Sequence, residues 1–126
     1  MNRFIIAVSL IAFAFSFAIA SLFFINSTCD TVTNHLDVSI EAALNEEESL
    51  TRENLEKTLI EWEKRDGFLN IVLGQGETSG VKGYLTSALH FAVMGDTKTA
   101  IEHISWAKVE LARIKNSNTP SLSTIL

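Results

Sequence analysis

The sequence lacks the several cysteines that cross-link many small proteins through disulfide bonds. Its 126 residues include one cysteine, Cys29, and one proline, Pro120. A single cysteine excludes an internal disulfide framework. It leaves two interpretations: a disulfide between two chains, or a small apolar side chain at a helix interface, which is the commoner role of a lone cysteine.

Basic residues are scarce as well. After Arg3 none occurs until Arg52, and the chain beyond Asn26 carries fifteen acidic residues against nine basic ones. Nucleic acids and anionic lipids both reward clusters of lysine and arginine. The composition therefore argues against either as a partner, and we expect no binding to nucleic acid.

One segment lacks charge altogether. From Phe4 to Ile25 the sequence runs for 22 residues without a charged side chain, and fourteen of them are large and apolar. As a helix this segment would be about 33 Å long, enough to cross the hydrocarbon core of a membrane. Insertion would be favoured by about 4 to 8 kcal/mol. We therefore predict a transmembrane anchor in residues 1–25, with the lipid bilayer as its partner.

The flanking charges predict the orientation of this anchor. Arg3 precedes the apolar segment, whereas acidic residues follow it, so the positive-inside rule places the N-terminus in the cytoplasm and the rest outside. This describes a single-pass signal-anchor protein of the cell membrane. The alternative is a signal peptide cleaved after Ala18-Ile19-Ala20. The apolar run is longer than usual for a signal peptide, and cleavage would leave the apolar residues 22–25 exposed, so the anchor is preferred.

The remaining sequence predicts helices and no strands. Apolar residues recur at steps of three and four over residues 28–48, 51–73, 81–94 and 97–116, the period of an amphipathic helix. The first of these helices continues the membrane helix, since no glycine or proline intervenes. Thr51 is the predicted cap of the second helix, with a bend at Asp66-Gly67. Gly95-Asp96 is the predicted tight connection between the last two.

Short connections place consecutive helices side by side in opposite directions. The predicted fold is therefore all-α: an N-terminal transmembrane helix followed by an antiparallel up-down bundle of three to four helices. The bundle is expected to occupy residues 26–117 outside the cytoplasm, followed by a C-terminal tail at 118–126. The apolar stripes predict the following inward-facing positions: Cys29, Val32, Leu36, Ile40, Ala43, Leu44, Leu55, Leu59, Trp62, Leu69, Leu73, Val81, Tyr84, Leu85, Ala88, Phe91, Ala92, Ala100, Ile101, Ile104, Ala107, Leu111 and Ile114.

No residue pattern predicts catalysis. The three histidines, His35, His90 and His103, have no metal-ligand spacing. Cys29 has no basic neighbour in sequence that would acidify its thiol. The carboxylates considered for an envelope enzyme, which are Glu63, Asp66 and Glu77, have no spacing that fixes their geometry. We therefore expect no catalytic residue, no metal, no cofactor and no enzymatic activity.

Two apolar residues lie on the polar side of the last helix. Trp106 and Val109 fall among Glu102, Glu110 and Arg113. An exposed pair of this kind is a candidate contact for a protein partner. The alternative is that Leu122, Ile125 and Leu126 in the tail fold back over the pair, and this alternative is the one the sequence favours.

The order of parts resembles a known bacterial family. The parts are the membrane helix, Thr28-Cys29-Asp30 at its outer end, Trp62-Glu63-Lys64 in a long second helix, a loop acid in Gln75-Gly76-Glu77, a helical hairpin and a terminal Ile125-Leu126. This order is similar to the family named domain of unknown function 4363. Members often have a histidine before the loop acid and an asparagine before the final Ile-Leu, where this chain has Gln75-Gly76 and Thr124.

The resemblance implies a protein of the bacterial cell envelope, from a Gram-positive spore-forming lineage, and another integral membrane protein as its partner. The predicted function is a non-enzymatic, membrane-anchored interaction module or accessory subunit. The alternative is a ligand-sensing helical bundle that acts through a partner membrane protein.

Overall fold

The computed structural model describes residues 2–73, 76 and 78–125, with side chains described as far as Asn116. The described part of the chain contains four α-helices and no strand. They are α1 (Asn2–Leu44), α2 (Glu48–Leu73), α3 (Ser79–Val93) and α4 (Thr97–Ile125). The prediction of an all-α chain is confirmed.

Helix α1 has two parts with different surroundings. Its 43 residues form one continuous helix, about 64 Å long, as expected from the absence of glycine and proline. All of residues 2–20 are exposed, whereas from Ser21 onward one side of the helix is buried. The first part is long and apolar enough to cross a membrane, and a signal sequence has the same properties.

The second part of α1 belongs to a helical domain with a shared core. Helix α1 packs against α2 and α4, and α3 packs against the same two helices. The core joins residues of all four helices: Ile25, Cys29, Val32, Leu36, Leu55, Trp62, Leu69, Val81, Leu85, Ala88, Ile104, Ala107, Leu111 and Ile114. Each large apolar side chain buried in this way stabilises the fold by about 1.5 to 3 kcal/mol.

The helical stripes read from the sequence largely match this core. Seven positions of the predicted stripes are only partly buried. Five of them pack against the core and form its margin: Ile40, Leu59, Leu73, Tyr84 and Ala92. The other two are Phe91 and Ile101. Leu44 is wrong, because α1 ends at this residue and its side chain is 68% exposed.

Two helix ends are closed by the same hydrogen-bonding pattern. At the end of α3, Gly95 N–H donates to the carbonyl of Ala92 and Asp96 N–H donates to that of Phe91. At the end of α1, Glu46 N–H donates to the carbonyl of Ala43 and Glu47 N–H to that of Ala42. Both are Schellman motifs, which need a residue with positive φ. Gly95 meets this need with φ +81°, and Glu46 meets it with φ +62°.

The start of α2 differs from the prediction. The helix begins at Glu48, and the Thr51 hydroxyl donates to the carbonyl of Glu47 at 2.9 Å inside the first turn. Thr51 is therefore not the cap, because serine and threonine hydroxyls also bond back to the preceding turn. Helix α2 continues through Asp66 and Gly67, where the sequence predicts a bend, and Asp66 is half-buried.

Helix α4 extends further than the sequence predicted. We expected it to end near Asn116, whereas its backbone is helical through Pro120 to Ile125. Leu122 is therefore sixteen residues from Trp106 along one helix, about 24 Å along its axis. The side chains of Leu122, Ile125 and Leu126 lie outside the described residues.

Polar contacts fix how α1 lies against its neighbours. The Arg65 guanidinium donates to the Thr28 hydroxyl at 3.1 Å and pairs with Glu61 at 2.8 Å. The Lys115 ammonium pairs with Asp30 at 2.6 Å. Exposed pairs of this kind add little stability, about 0 to 1 kcal/mol each. They show which residues of α1 lie beside which residues of α2 and α4.

Candidate interaction surface

Trp106 and Val109 lie on the outer side of α4. Both side chains are 56% exposed, although each is large and apolar. Their neighbours along the same side are the carboxylate of Glu110 and the guanidinium of Arg113, which pair at 3.1 Å. The two residues chosen from the sequence are therefore accessible to a partner.

Trp106 belongs to a group of rings contributed by two helices. Its indole stacks on the ring of Tyr84 in α3, with centroids 6.4 Å apart and planes 21° apart. His103 lies beside Tyr84, and its ring is 5.0 Å from that of Phe91. We call Tyr84, Phe91, His103 and Trp106 the aromatic face. An aromatic side chain has few rotatable bonds and therefore loses little entropy on binding.

The sequence did not predict this arrangement. The helical period placed Tyr84 inward and Trp106 outward, so the two were assigned to opposite sides of their helices. In the structure Tyr84 is half-buried at the margin of the core and its ring reaches Trp106. A period of 3.6 residues shows which side of a helix is apolar, but it carries no information on which residues of two helices meet.

A shallow groove lies next to the aromatic face. It has a volume of about 370 Å³ and is lined by Gly80, Gly83, Tyr84, Ser87, His103 and Glu110. A Cβ atom added at Gly83 would meet no atom within 4 Å, so the missing side chain leaves this part of the groove open. A Cβ atom at Gly80 would approach the Glu110 carboxylate at 3.3 Å.

The hydrogen bond of His103 shows which ring nitrogen carries a proton. Its Nδ1 lies 2.9 Å from the carbonyl oxygen of Thr99. A carbonyl only accepts, so Nδ1 donates the hydrogen bond, and in the neutral ring Nε2 is then left as an acceptor. The groove thus offers one imidazole acceptor and the Glu110 carboxylate beside an apolar ring.

Comparison of the chain with protein-family models, with curated proteins and with solved structures finds no match in any of the three. No relative therefore supplies an activity or a partner.

The Cys29 thiol is buried and weakly acidic. Burial raises the pKa of the Cys29 thiol to about 11, with a smaller contribution from Asp30 that Lys115 opposes. Such a thiol is a poor nucleophile at neutral pH. Its side chain is buried in the core, which matches the helix-interface interpretation.

Two of the three candidate carboxylates have an ordinary neighbour in the described part of the chain. Glu63 is exposed and lies 4.0 Å from the Lys82 ammonium. Asp66 accepts a hydrogen bond from the Asn70 amide at 3.5 Å. Glu77 lies outside the described residues. Among the residues that the structure describes, no group of three or more histidine, cysteine or acidic side chains is placed to hold a metal ion.

Proposed function

We propose that this chain is a single-pass membrane protein whose helical domain lies outside the cytoplasm and acts as a non-enzymatic interaction module or accessory subunit of the bacterial envelope. The observation that carries the proposal is the change along α1. Its first nineteen described residues bury nothing, although they are almost entirely apolar, and the same helix then enters the protein core at Ser21 and Ile25. Lipid would surround the exposed apolar side chains of the first part, whereas the other helices bury the apolar side of the second part.

The charge distribution supports the orientation. Arg3 lies before the apolar run, and Asp30, Asp37 and Glu41 follow it. Under the positive-inside rule this favours a cytoplasmic N-terminus. The resemblance to the domain of unknown function 4363 family, which implies a bacterial envelope protein, also supports the proposal.

Paired contacts support an antiparallel up-down bundle. Lys108 pairs with Asp37 and Lys115 pairs with Asp30. Residue numbers therefore rise along α4 where those of the partners fall along α1, as in antiparallel helices. The same reversal relates α2 to α3, where Thr78 donates to Asn70 at 2.6 Å and Lys82 approaches Glu63. Short connections between successive helices agree with this arrangement.

The aromatic face, together with Val109, is the proposed contact for a protein partner. Protein interfaces are enriched in tryptophan, tyrosine and arginine near their centres. Trp106 and Tyr84 supply a rigid apolar centre, and the Glu110–Arg113 pair supplies a polar margin. The proposed partner is another integral membrane protein, because the anchor restricts encounters to the membrane plane.

Topology is the first test. A reporter that is active only outside the cytoplasm should work when fused after Leu126, and the protein should resist alkaline extraction from membranes. A fusion active only in the cytosol would refute the orientation. Release of the intact helical domain from the cell, cleaved after Ala20, would show that the apolar segment is a signal peptide.

The second test locates the partner. A photo-crosslinking amino acid replaces Trp106 or Val109 in the full chain in its native membrane, and replaces Ile60 on α2, which is 53% exposed, as the matched control. We expect one membrane protein to crosslink from positions 106 and 109 and not from 60. Equal crosslinking from all three positions, or none from any, would remove the assignment of this surface.

The groove beside Tyr84 favours a second candidate function, a ligand-sensing bundle that acts through a partner membrane protein. It is open at Gly83 and offers the acceptor nitrogen of His103 beside an aromatic ring. Ligand-dependent thermal stabilisation of the full chain that Gly83→Leu abolishes would support this function. Stabilisation unaffected by that substitution would locate any ligand elsewhere.

A further inference from the structure

The C-terminal end of α2 lies beside the apolar segment of α1. The ring of Phe68 packs edge-on against Phe24 at 4.9 Å and against Phe17 at 6.3 Å. Both partners belong to the uncharged run from Phe4 to Ile25. A helix of the domain therefore descends to the level of residues that have the composition of a membrane span.

The length of the exposed segment bears on how deep this level lies. Residues 4–20 are exposed on all sides, but as a helix they are only about 25 Å long. The hydrocarbon core of a bilayer is about 30 Å thick. If the span begins at Phe4, it has to continue to Phe23 or Phe24, which is the level that Phe68 occupies.

On α1, α2 and α4, the charged residues nearest the apolar segment lie at a similar height along the bundle. On α1 the first charge after the apolar run is Asp30, which pairs with Lys115 of α4. Residues 116–125 of α4 contain no charged side chain, although seven of the ten are polar. On α2 the last charges are Arg65 and Asp66, and Arg65 donates to Thr28, half a turn from Asp30 on α1.

Beyond this level, the end of α2 and the loop that follows it carry one charged side chain. Residues 67–76 carry no charge, and the first charge within α3 is Lys82, which faces Glu63 above Arg65. Glu77 is the exception, and it lies outside the described residues. Charged side chains are expelled from hydrocarbon, so a boundary of this kind is expected where a protein meets the lipid headgroups.

The uncharged end also exposes apolar side chains. Ile71 is 79% exposed and Phe68 is 37% exposed. Phe68 closes one side of a groove of about 420 Å³, whose other walls are Phe17, Ala20, Ser21 and Phe24. In water this surface would be unfavourable, by about 25 cal/mol for each Å² of apolar area.

We propose that the C-terminal end of α2 is immersed in the outer leaflet, with Phe68 and Ile71 among the lipid chains and the Phe17–Phe68 groove occupied by a lipid acyl chain. The inference rests on the proposed membrane anchor and adds that the domain is seated in the bilayer instead of standing clear of it. Arg65 marks the depth: its guanidinium is held by Glu61 and lies 5.9 Å from the Phe24 ring, at the headgroup level where arginine side chains are stable.

Accessibility of spin labels tests the immersion. In a Cys29→Ala background, single cysteines replace Ile71, Ile60 or Phe13 in the full chain, which is reconstituted in phosphatidylcholine vesicles. All three native side chains are exposed, and Ile60 is the matched control because it lies on the same helix about 16 Å further from the membrane. Circular dichroism checks that each variant is folded. The ratio of collision rates with oxygen and with a water-soluble nickel chelate then reports lipid or water.

We expect this ratio to be severalfold higher at positions 71 and 13 than at position 60. Position 13 in lipid with position 71 as water-accessible as position 60 would overturn the immersion and leave the anchor intact. Position 13 in water would overturn the anchor itself, and the immersion with it. The two failures are therefore distinguishable in one set of samples.

Discussion

At the scale of single residues, Glu46 has the least favourable backbone. It is the one described residue other than glycine with positive φ. The conformation is required because the α1 end closes through the bonds of Glu46 and Glu47 to Ala43 and Ala42. A left-handed conformation costs a residue with a Cβ atom about 1 kcal/mol or more, and glycine is free of this cost. The same position after α3 is Gly95.

Replacing Glu46 with glycine should therefore stabilise the protein. We expect Glu46→Gly to raise the free energy of unfolding by about 1 kcal/mol. Glu41→Gly is the control, because position 41 is exposed inside α1, where glycine should lower it by about 1 kcal/mol. Urea unfolding of the detergent-solubilised chain, followed by circular dichroism, measures both. A destabilising Glu46→Gly would mean that the glutamate side chain has a stabilising contact outweighing its backbone cost.

The Asp96 carboxylate at the start of α4 should make the stability of the protein depend on pH. The backbone N–H of Thr99 donates to the Asp96 carboxylate at 3.2 Å. Hydrogen bonding with the Thr99 side chain and backbone lowers the pKa of Asp96 below its usual 3.8. A lowered folded pKa stabilises the protein fully above the unfolded value, and this contribution is lost as the pH falls through the folded value.

The stability of Asp96→Asn should be less sensitive to acid than that of the wild type. Asparagine keeps an acceptor for the Thr99 N–H but does not ionise. We expect the wild type to exceed Asp96→Asn in melting temperature at neutral pH, and the difference to shrink below about pH 4. Thermal melts at several pH values measure it. A difference that stays constant across this range would show that the carboxylate charge has no part in the cap.

Cys29 should be unreactive in the folded protein. Its side chain is 3% exposed and its pKa is raised to about 11. Modification by iodoacetamide at neutral pH should therefore require unfolding, and mass spectrometry with and without denaturant measures it. A raised pKa also means that stability falls as the pH rises above the unfolded value of 9.0 towards the folded one. Rapid labelling of the folded chain, or a dimer released by reductant, would revive the interpretation of a disulfide between two chains.

At the scale of helices, the sequence predicts elements better than it predicts their ends. The continuity of α1 follows from the absence of breakers, and most stripe positions are buried, because both depend on the residues within one helix. The start of α2 and the extension of α4 were missed. Thr51 has an alternative partner within its helix, and residues 117–125 have no apolar period that would predict a helix.

Buried polar groups could not be predicted either, and Trp62 is the clearest example. Its side chain is fully buried between helices, yet its indole N–H has no hydrogen-bond partner within the described residues. An unpaired buried donor costs about 1 to 3 kcal/mol. The stripe shows that position 62 faces inward, but it does not show whether a partner for the nitrogen exists.

Trp62→Phe should therefore be tolerated unusually well. Phenylalanine leaves a small cavity but removes the unpaired donor, so we expect it to lower the free energy of unfolding by less than about 2 kcal/mol. Trp62→Ala removes the whole ring and should cost about 3 to 5 kcal/mol. Urea unfolding compares the two variants with the wild type. If both variants lost the same unfolding free energy, the indole N–H would have to make a stabilising hydrogen bond.

At the scale of the whole molecule, the sequence predicted the division of the chain better than the site. The apolar run and the helical stripes are one-dimensional patterns, and they locate the exposed part of α1 and the core beyond it. Trp106 and Val109 were found because they break a pattern. Their association with Tyr84, and the contact of Phe68 with Phe17, depend on how helices far apart in sequence pack, which no local pattern encodes.

The division of α1 predicts that its first part is dispensable for folding. Residues 2–20 contribute no buried side chain, and the contact of Phe17 with Phe68 is worth about 0.5 to 1.5 kcal/mol. Deleting residues 2–20 should therefore lower the free energy of unfolding in mild detergent by no more than about 1 to 2 kcal/mol and leave the transition cooperative.

Deleting residues 2–32 is the matched comparison, because it also removes Ile25, Cys29 and Val32 from the core. Each is worth up to about 1.5 to 3 kcal/mol, and small domains are stable by only about 5 to 15 kcal/mol, so this variant should not fold. Circular dichroism and urea unfolding distinguish the two deletions. If the shorter deletion also abolished cooperative unfolding, the apolar segment would be part of the folding unit, and its exposure would need a cause other than lipid.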